Sequence, residues 1–132
     1  MNVFVYGTLT NPERAQQVLD RYEYVGHATL VGLHRIEGRY PTLVPDGSTQ
    51  GRILQTDSDG LDALDDYEGV NRGLYVRKSI PAPVLTDEQS IEVYIGDPDR
   101  LDARDGWPGD EPFIERVEQY IITHNVHIQI HE

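Results

Sequence analysis

The feature that most restricts the fold is the punctuation of the chain's middle. Four short runs, "HATLVGLH" (27–34), "GRILQT" (51–56), "YVRKSI" (75–80) and "SIEVYIG" (90–96), mix or alternate apolar and polar residues. Clusters rich in Gly, Pro and Asp separate them, as in "EGRYPTLVPDGSTQG" and "GDPDRLDARDGWPGDE". A period near two in segments this short is a strand signal, because successive side chains on a strand point to opposite faces. Helical spacing stands near both ends and once between strands, and the closing "VHIQIHE" alternates again. With no internal repeat, low-complexity tract or linker, residues 1–132 read as a single α+β domain: a small, mixed, barrel-like sheet with a few flanking helices.

The first helix is announced by "NPERAQQVLDRY". Asn11 suits the cap and Pro12 the first helical position, while Ala15, Val18, Leu19 and Tyr22 recur at spacings of three and four. Before it stands "VFVYGTL" (3–9), a buried-strand run that gives way at Gly7. A glycine turn joining a strand to a helix start leaves backbone N–H groups facing outward, and such groups attract anions. Toward the other end a helix is expected with Asp110 or Glu111 near its cap, Pro112 early, and Phe113, Val117, Tyr120 and Ile121 on one side.

The helix between strands carries the most chemistry. In "DSDGLDALDDYEGV" (57–70), Ser58 or Asp59 can cap the start and Gly69 can end it. With Leu61 set at 0° and about 100° per residue, Leu64 lies at about 300°, Tyr67 at about 240° and Glu68 at about 340°. Glu68 therefore projects between the two leucines, with Asp62, Ala63 and Asp66 on the opposite side. A carboxylate on an apolar face costs energy unless it is paired, hydrogen-bonded or protonated, and desolvation raises its pKa. A raised pKa suits a general base. The competing reading has Glu68 bend out to water at the last turn, or pair with Arg72 or Arg77.

Composition limits the chemistry. Cysteine is absent, so disulfides, thiolate metal sites and cysteine nucleophiles are excluded. No apolar run approaches the roughly 18 residues of a membrane span, and no charged-then-apolar leader follows Met1. A soluble, cytoplasmic protein is the expectation. The 23 Asp and Glu against 11 Lys and Arg give a formal charge of −12, which repels nucleic-acid backbones and anionic membranes, so neither is expected as a partner. The acids are scattered along the chain and Lys78 is its sole lysine. That pattern suggests a protein from a halophile, with an ordinary acidic protein as the alternative.

Several pieces together resemble the gamma-glutamylcyclotransferase-like family, of the gamma-glutamylamine cyclotransferase type. They are "YGTL" at Tyr6 to Leu9, "YP" at Tyr40 and Pro41, the glycine-led strand at Gly51, and "LDDYEGVNRGLYVR" from Leu64 to Arg77. The resemblance implies a small mixed barrel with flanking helices around a cavity, no metal and no organic cofactor, and a gamma-glutamyl compound as substrate. It places the catalytic acid and base on Glu68 and substrate binding on Tyr6, Gly7, Thr8 and Leu9. The implied reaction is ring closure to 5-oxoproline with release of an amine or amino acid. Tyr75 is the choice for a ligand contact on the next strand and Arg77 for a pairing with acidic neighbours. Tyr40 and Pro41 would shape the cavity wall, and Tyr94 either lines the pocket or packs in the core. Cleavage of a different amide or ester, or a non-catalytic binding module, are the other functions the same pocket allows. The stretch after Tyr94, with the isolated Trp107, carries no assignable motif, and the oligomeric state is not legible.

Other signatures fail on their spacing. "DSDGLDALDDYE" has acids at its first, third and twelfth positions like a calcium loop, but Asp62 stands where glycine is needed and Leu61 where a ligand is needed. "DPDRLDARDG" reads as a solvated loop. His124, His127 and His131 show no zinc motif, and two of them alternate with apolar residues as on a half-exposed strand. No phosphate loop or "G-x-S-x-G" elbow is present. Thr8 is a binding residue rather than a nucleophile unless His27 or His34 stands beside its hydroxyl.

Overall fold

The computed structural model describes residues 1–38, 40–83, 88–101 and 106–131. Six strands, β1 (Asn2–Val5), β2 (Tyr22–Ile36), β3 (Thr42–Thr56), β4 (Tyr75–Pro83), β5 (Glu88–Gly96) and β6 (His127–His131), form one sheet in the order β4-β5-β1-β3-β2-β6. β1 runs parallel to β5 and antiparallel to β3, so the sheet is mixed. It curls until the edge strands β4 and β6 approach each other, giving a half-barrel. Three helices flank it: α1 (Pro12–Val18), α2 (Ser58–Glu68) and α3 (Phe113–Thr123). None of the described helices is long and apolar enough to cross a membrane.

The opening run is apolar at every position because both faces of β1 are covered. Phe4 and Tyr6 face the inside of the curl, with Leu30, Ile91, Ile128 and the buried face of α3. Val3 and Val5 face the other way, onto Leu9, Ala15, Leu61 and Leu64 from α1, α2 and the turn before α1. The face expected for α3 is the buried one: Val117, Tyr120 and Ile121 are inside and Phe113 packs beside them. Trp107 is a core residue here, its ring set edge-on to Phe113 and Tyr120 and its indole N–H donating to the Leu43 carbonyl at 3.2 Å.

Four local expectations need correction. Helix α1 stops at Val18, and Tyr22 belongs to β2, opposite Thr56. Its helical spacing reflects contact of another kind, since the Tyr22 hydroxyl donates back to the Pro12 carbonyl at 3.3 Å. The "PTLVPDGSTQG" stretch is strand rather than loop. Asp46 and Gly47 take positive φ values of 81° and 79° where the β2–β3 register shifts, between Leu33 opposite Pro45 and Val31 opposite Ser48. Turn-type residues there make a bulge that bends a long hairpin without reversing it. Helix α2 is capped by Asp57, one residue before the expected cap, through a bond from the Gly60 N–H at 2.8 Å. In α3 the cap position falls on Pro112 itself, without a side-chain bond.

Candidate active site

A cavity of about 390 Å³ opens between the end of β1, the C-terminus of α2 and the start of β4. Tyr6, Gly7, Thr8, Leu9, Tyr40, Tyr75, Tyr94 and Glu68 all line it, so every residue expected to bind or react meets in one place. The volume is within the range of small-molecule sites. Three topological facts produce the convergence. β1 ends at the cavity and continues into a 3₁₀ turn at Thr8–Thr10, its parallel neighbour β5 brings Tyr94, and the β4–β5 register sets Tyr75 opposite Gly96.

The Tyr6–Thr10 segment is held from outside by its carbonyls. Arg35 donates to the Tyr6 carbonyl at 2.7 Å, and the Thr10 N–H and hydroxyl donate to Gly7 at 3.1 and 2.7 Å. The Asn11 N–H donates to Thr8 at 3.1 Å, the Tyr24 hydroxyl to Leu9 at 2.5 Å, and Arg52 to Thr10 at 3.0 Å. All five acceptors are thereby engaged. The N–H groups of Thr8 and Leu9, first in a 3₁₀ turn, have no partner within it. The result is a short run of fixed donors in the cavity wall, the arrangement that receives an anion. Gly7 takes φ −117° and ψ −134°, outside the ordinary helical and extended regions. A Cβ there would meet only Pro41, at 3.8 Å, so what glycine supplies is room in the cavity wall.

Glu68 closes α2, and Gly69 follows in the left-handed conformation with φ 72°. The side chain is half-buried in the cavity wall, and that burial pushes the carboxyl pKa up from 4.5 to about 7. Neither Arg72 nor Arg77 forms an ion pair with it among the described residues. Arg77 instead meets Asp65 at 3.3 Å. A carboxyl half-ionised at neutrality is able both to take and to return a proton.

Facing it are tyrosines whose own protons are already given away. The Tyr6 hydroxyl donates to the Tyr94 carbonyl, Tyr94 to Asp65 Oδ1 and Tyr75 to the Pro41 carbonyl, each at 2.6 Å. Burial raises all three pKa values above the ordinary tyrosine range, and the nearby Glu68 charge raises them further. They stay neutral, and each can offer a ligand only lone pairs. The cavity is thus polarised, with the N–H donors of Thr8 and Leu9 on one side and acceptors on the Tyr6, Tyr94 and Glu68 side.

Asp65 was not singled out by the sequence, although at about 40° on the helical projection it shares the Glu68 face. Arg14, also unanticipated, and Arg72, raised from the sequence only as an alternative partner for Glu68, line the cavity with exposed side chains. Tyr40 is half exposed, and Tyr75 fastens the adjoining Pro41 carbonyl to the wall. The Thr8 hydroxyl lies 3.0 Å from the Tyr67 hydroxyl, whereas His34 bonds the Asp46 carbonyl and His27 pairs in register with His131. No histidine among the described residues is bonded to Thr8. His124 stacks on Tyr120, His127 bonds the Asn125 carbonyl and His131 bonds Thr29, so each is part of the local packing. The described residues contain no group of three or more metal-ligating side chains.

Comparison with known proteins shows the family and the fold. The family model described as "Gamma-glutamyl cyclotransferase, AIG2-like" matches residues 3–110. AIG2-like protein C of Arabidopsis thaliana is 38% identical over 104 residues, which cover 71% of this chain and 58% of that protein. The chain therefore spans less than two thirds of that relative's length. Among solved structures, a gamma-glutamyl cyclotransferase superposes with a TM-score of 0.64 over 92% of this chain and 98% of its own, at 16% identity, a likeness of fold. An AIG2-like protein from Mus musculus superposes with a TM-score of 0.55 over 84% and 90% of the two chains, at 25% identity.

Proposed function

The chain belongs to the gamma-glutamyl cyclotransferase, AIG2-like family, and from that premise we propose that it closes gamma-glutamyl compounds into 5-oxoproline, with Glu68 as the acid and base. The observation that carries the proposal is the half-buried Glu68 carboxyl, with no ion pair among the described residues, in the same cavity as the run of Thr8 and Leu9 N–H groups. A glutamyl α-carboxylate matches that run. The α-amine matches the acceptor side, where Glu68 and the lone pairs of Tyr6 and Tyr94 stand.

Near neutral pH an α-amine is largely protonated, and a protonated amine is no nucleophile. Glu68 takes that proton. The freed nitrogen attacks the gamma-carbonyl carbon, forming the C–N bond of a five-membered ring. As the bond to the leaving nitrogen breaks, Glu68 returns the first proton to it and relays the second from the attacking nitrogen, which keeps one hydrogen as the lactam N–H, so the amine departs in its ammonium form and no water is consumed. Held ends bring the reacting atoms together, which is the larger part of the rate advantage for an intramolecular step. The sequence of events needs neither metal nor organic cofactor.

The test is to incubate the protein with a panel of gamma-glutamyl amines and dipeptides and to assay 5-oxoproline and the released amine in equal amounts. Release of glutamate in place of 5-oxoproline would mean hydrolysis and would overturn the cyclisation.

A further inference from the structure

Ring closure moves charge that a single carboxyl does not handle. When the amine attacks, the electron pair of the gamma C=O bond shifts onto its oxygen, and that oxyanion needs a fixed donor with a proton to spare. Most tyrosines of the cavity are already committed, since Tyr6, Tyr75 and Tyr94 each donate to a protein acceptor. The Thr8 and Leu9 N–H groups are taken by the glutamyl carboxylate in the reading above. Arg14 and Arg72 have exposed side chains, with no side-chain hydrogen bond among the described residues to fix them. Tyr67 and Thr8 differ from all of these. Their hydroxyls lie 3.0 Å apart, one from the last turn of α2 and the other from the 3₁₀ turn Thr8–Thr10, and both residues line the cavity. Two hydroxyls joined by one hydrogen bond carry two protons and use one. The second proton has no acceptor among the described residues.

We propose that Tyr67 is a catalytic residue: its hydroxyl, held by Thr8, donates to the gamma-carbonyl oxygen as that oxygen becomes negative. This rests on the cyclisation proposed above and deepens it. Tyr67 directly precedes Glu68, so the end of one helix carries the oxyanion donor and the proton carrier side by side. Burial first, and then the nearby Glu68, Tyr40 and Tyr67 groups, raise the Tyr75 pKa, so Glu68 and Tyr67 act on the same part of the cavity. Thr8 reaches Tyr67 from the turn whose N–H groups receive the carboxylate, which fixes the donor relative to both ends of the glutamyl chain. The order runs from Thr8 to Tyr67 to substrate, because a phenolic O–H is the more acidic donor and a hydroxyl that accepts a bond donates more strongly. The proton stays on Tyr67 throughout. The electron pair returns from oxygen to carbon as the bond to the leaving nitrogen breaks.

The experiment measures kcat and KM for gamma-glutamyl-alanine and gamma-glutamyl-ethylamide, and for the gamma-thioamide of each, whose sulfur is a poor acceptor. Tyr67→Phe keeps the ring and removes an exposed hydroxyl, so thermal melting should be unchanged. Removing one oxyanion donor costs about 10²- to 10³-fold in kcat, and an exposed one less, so a fall of about tenfold or more is expected, with KM and the pH midpoint of Glu68 retained. The fall should be equal for both leaving groups, and the preference for oxygen over sulfur should shrink by a similar factor. Thr8→Val should reproduce part of the loss, Thr8→Ser should not, and Thr8→Val should add nothing in the Tyr67→Phe background. An unchanged kcat, a rise in KM alone, a loss confined to one leaving group, an unaltered preference for oxygen, or a destabilised Tyr67→Phe protein would overturn the assignment. If no substrate yields 5-oxoproline, the cyclisation falls, and calorimetric binding of 2-amino-4-phosphonobutanoate, tetrahedral and anionic at the gamma position, decides the donor separately. Weaker binding to Tyr67→Phe than to the wild type supports it, and equal or absent binding overturns it.

Discussion

Replacing Glu68 with Gln separates what the residue does for chemistry from what it costs the fold. The amide keeps the size of the side chain and removes both the proton acceptor and the buried charge. General acid–base catalysis contributes about 10²- to 10⁴-fold, so 5-oxoproline formation should fall by at least the lower figure. Stability should move the other way. The folded chain holds the Glu68 proton up to about pH 7, whereas an unfolded carboxyl releases it near 4.5. Whatever this group adds to stability is therefore complete below pH 4.5 and lost as pH rises through 7. At about 1.4 kcal/mol for each pH unit, the displacement amounts to at most about 3 kcal/mol above pH 7. Urea unfolding of both proteins at pH 5 and pH 8 reads this directly, with the variant gaining on the wild type at pH 8 and little at pH 5. In the wild type, kcat/KM should climb as pH rises through about 7. A variant that still cyclises, or a stability difference that is the same at both pH values, would refute the assignment of a buried base.

Three further outcomes follow from the packing and charge. Gly51→Ala places a Cβ 2.4 Å from the Val5 carbonyl and 2.5 Å from the Phe4 ring, so β1 must shift; thermal melting should report a loss of about 1–3 kcal/mol. Arg52→Gln removes the bond to the Thr10 carbonyl and the guanidinium 3.7 Å over Tyr24, the residue that holds Leu9; KM should rise severalfold, while the pH midpoint set by Glu68 stays in place. With a formal charge of −12, stability measured from low to molar salt should increase as repulsion is screened, and a salt-indifferent fold would remove the expectation of salt adaptation.

The legible parts of the sequence were those governed by a local rule. Gly69 ends α2 because the left-handed position there favours glycine, and Glu68 faces inward because helical spacing puts it between Leu61 and Leu64. The illegible parts depend on partners far along the chain. "PDG" in 45–47 has turn chemistry, but pairing of β3 with β2 on both sides of it overrides it and leaves only a bulge. Trp107 carries no local pattern, because its partners Leu43, Phe113 and Tyr120 come together only in the folded core. Asp65 was available in principle from its projection angle. What identifies its role is the ring of Tyr94 arriving from β5 and Arg77 from β4.

The same long-range contacts bear on why burial of the Glu68 carboxyl is left uncompensated and pushes its pKa up. A positive partner at close range would pull the Glu68 carboxyl down; Arg77 is held by Asp65 and Arg35 by the Tyr6 carbonyl, while Arg14 and Arg72 line the cavity with exposed side chains and form no ion pair with Glu68 among the described residues. Asp65 is in this sense a shield, since it occupies Arg77 one helical turn before the catalytic candidate. Asp65→Asn would weaken that hold and leave Arg77 freer to approach Glu68. The expected result is a downward move of the acidic limb of kcat/KM against pH, with the Tyr94 hydroxyl still able to donate to the new amide oxygen. An acidic limb unmoved by the substitution, in a protein that folds normally, would mean that Glu68 is set by burial whatever Arg77 does.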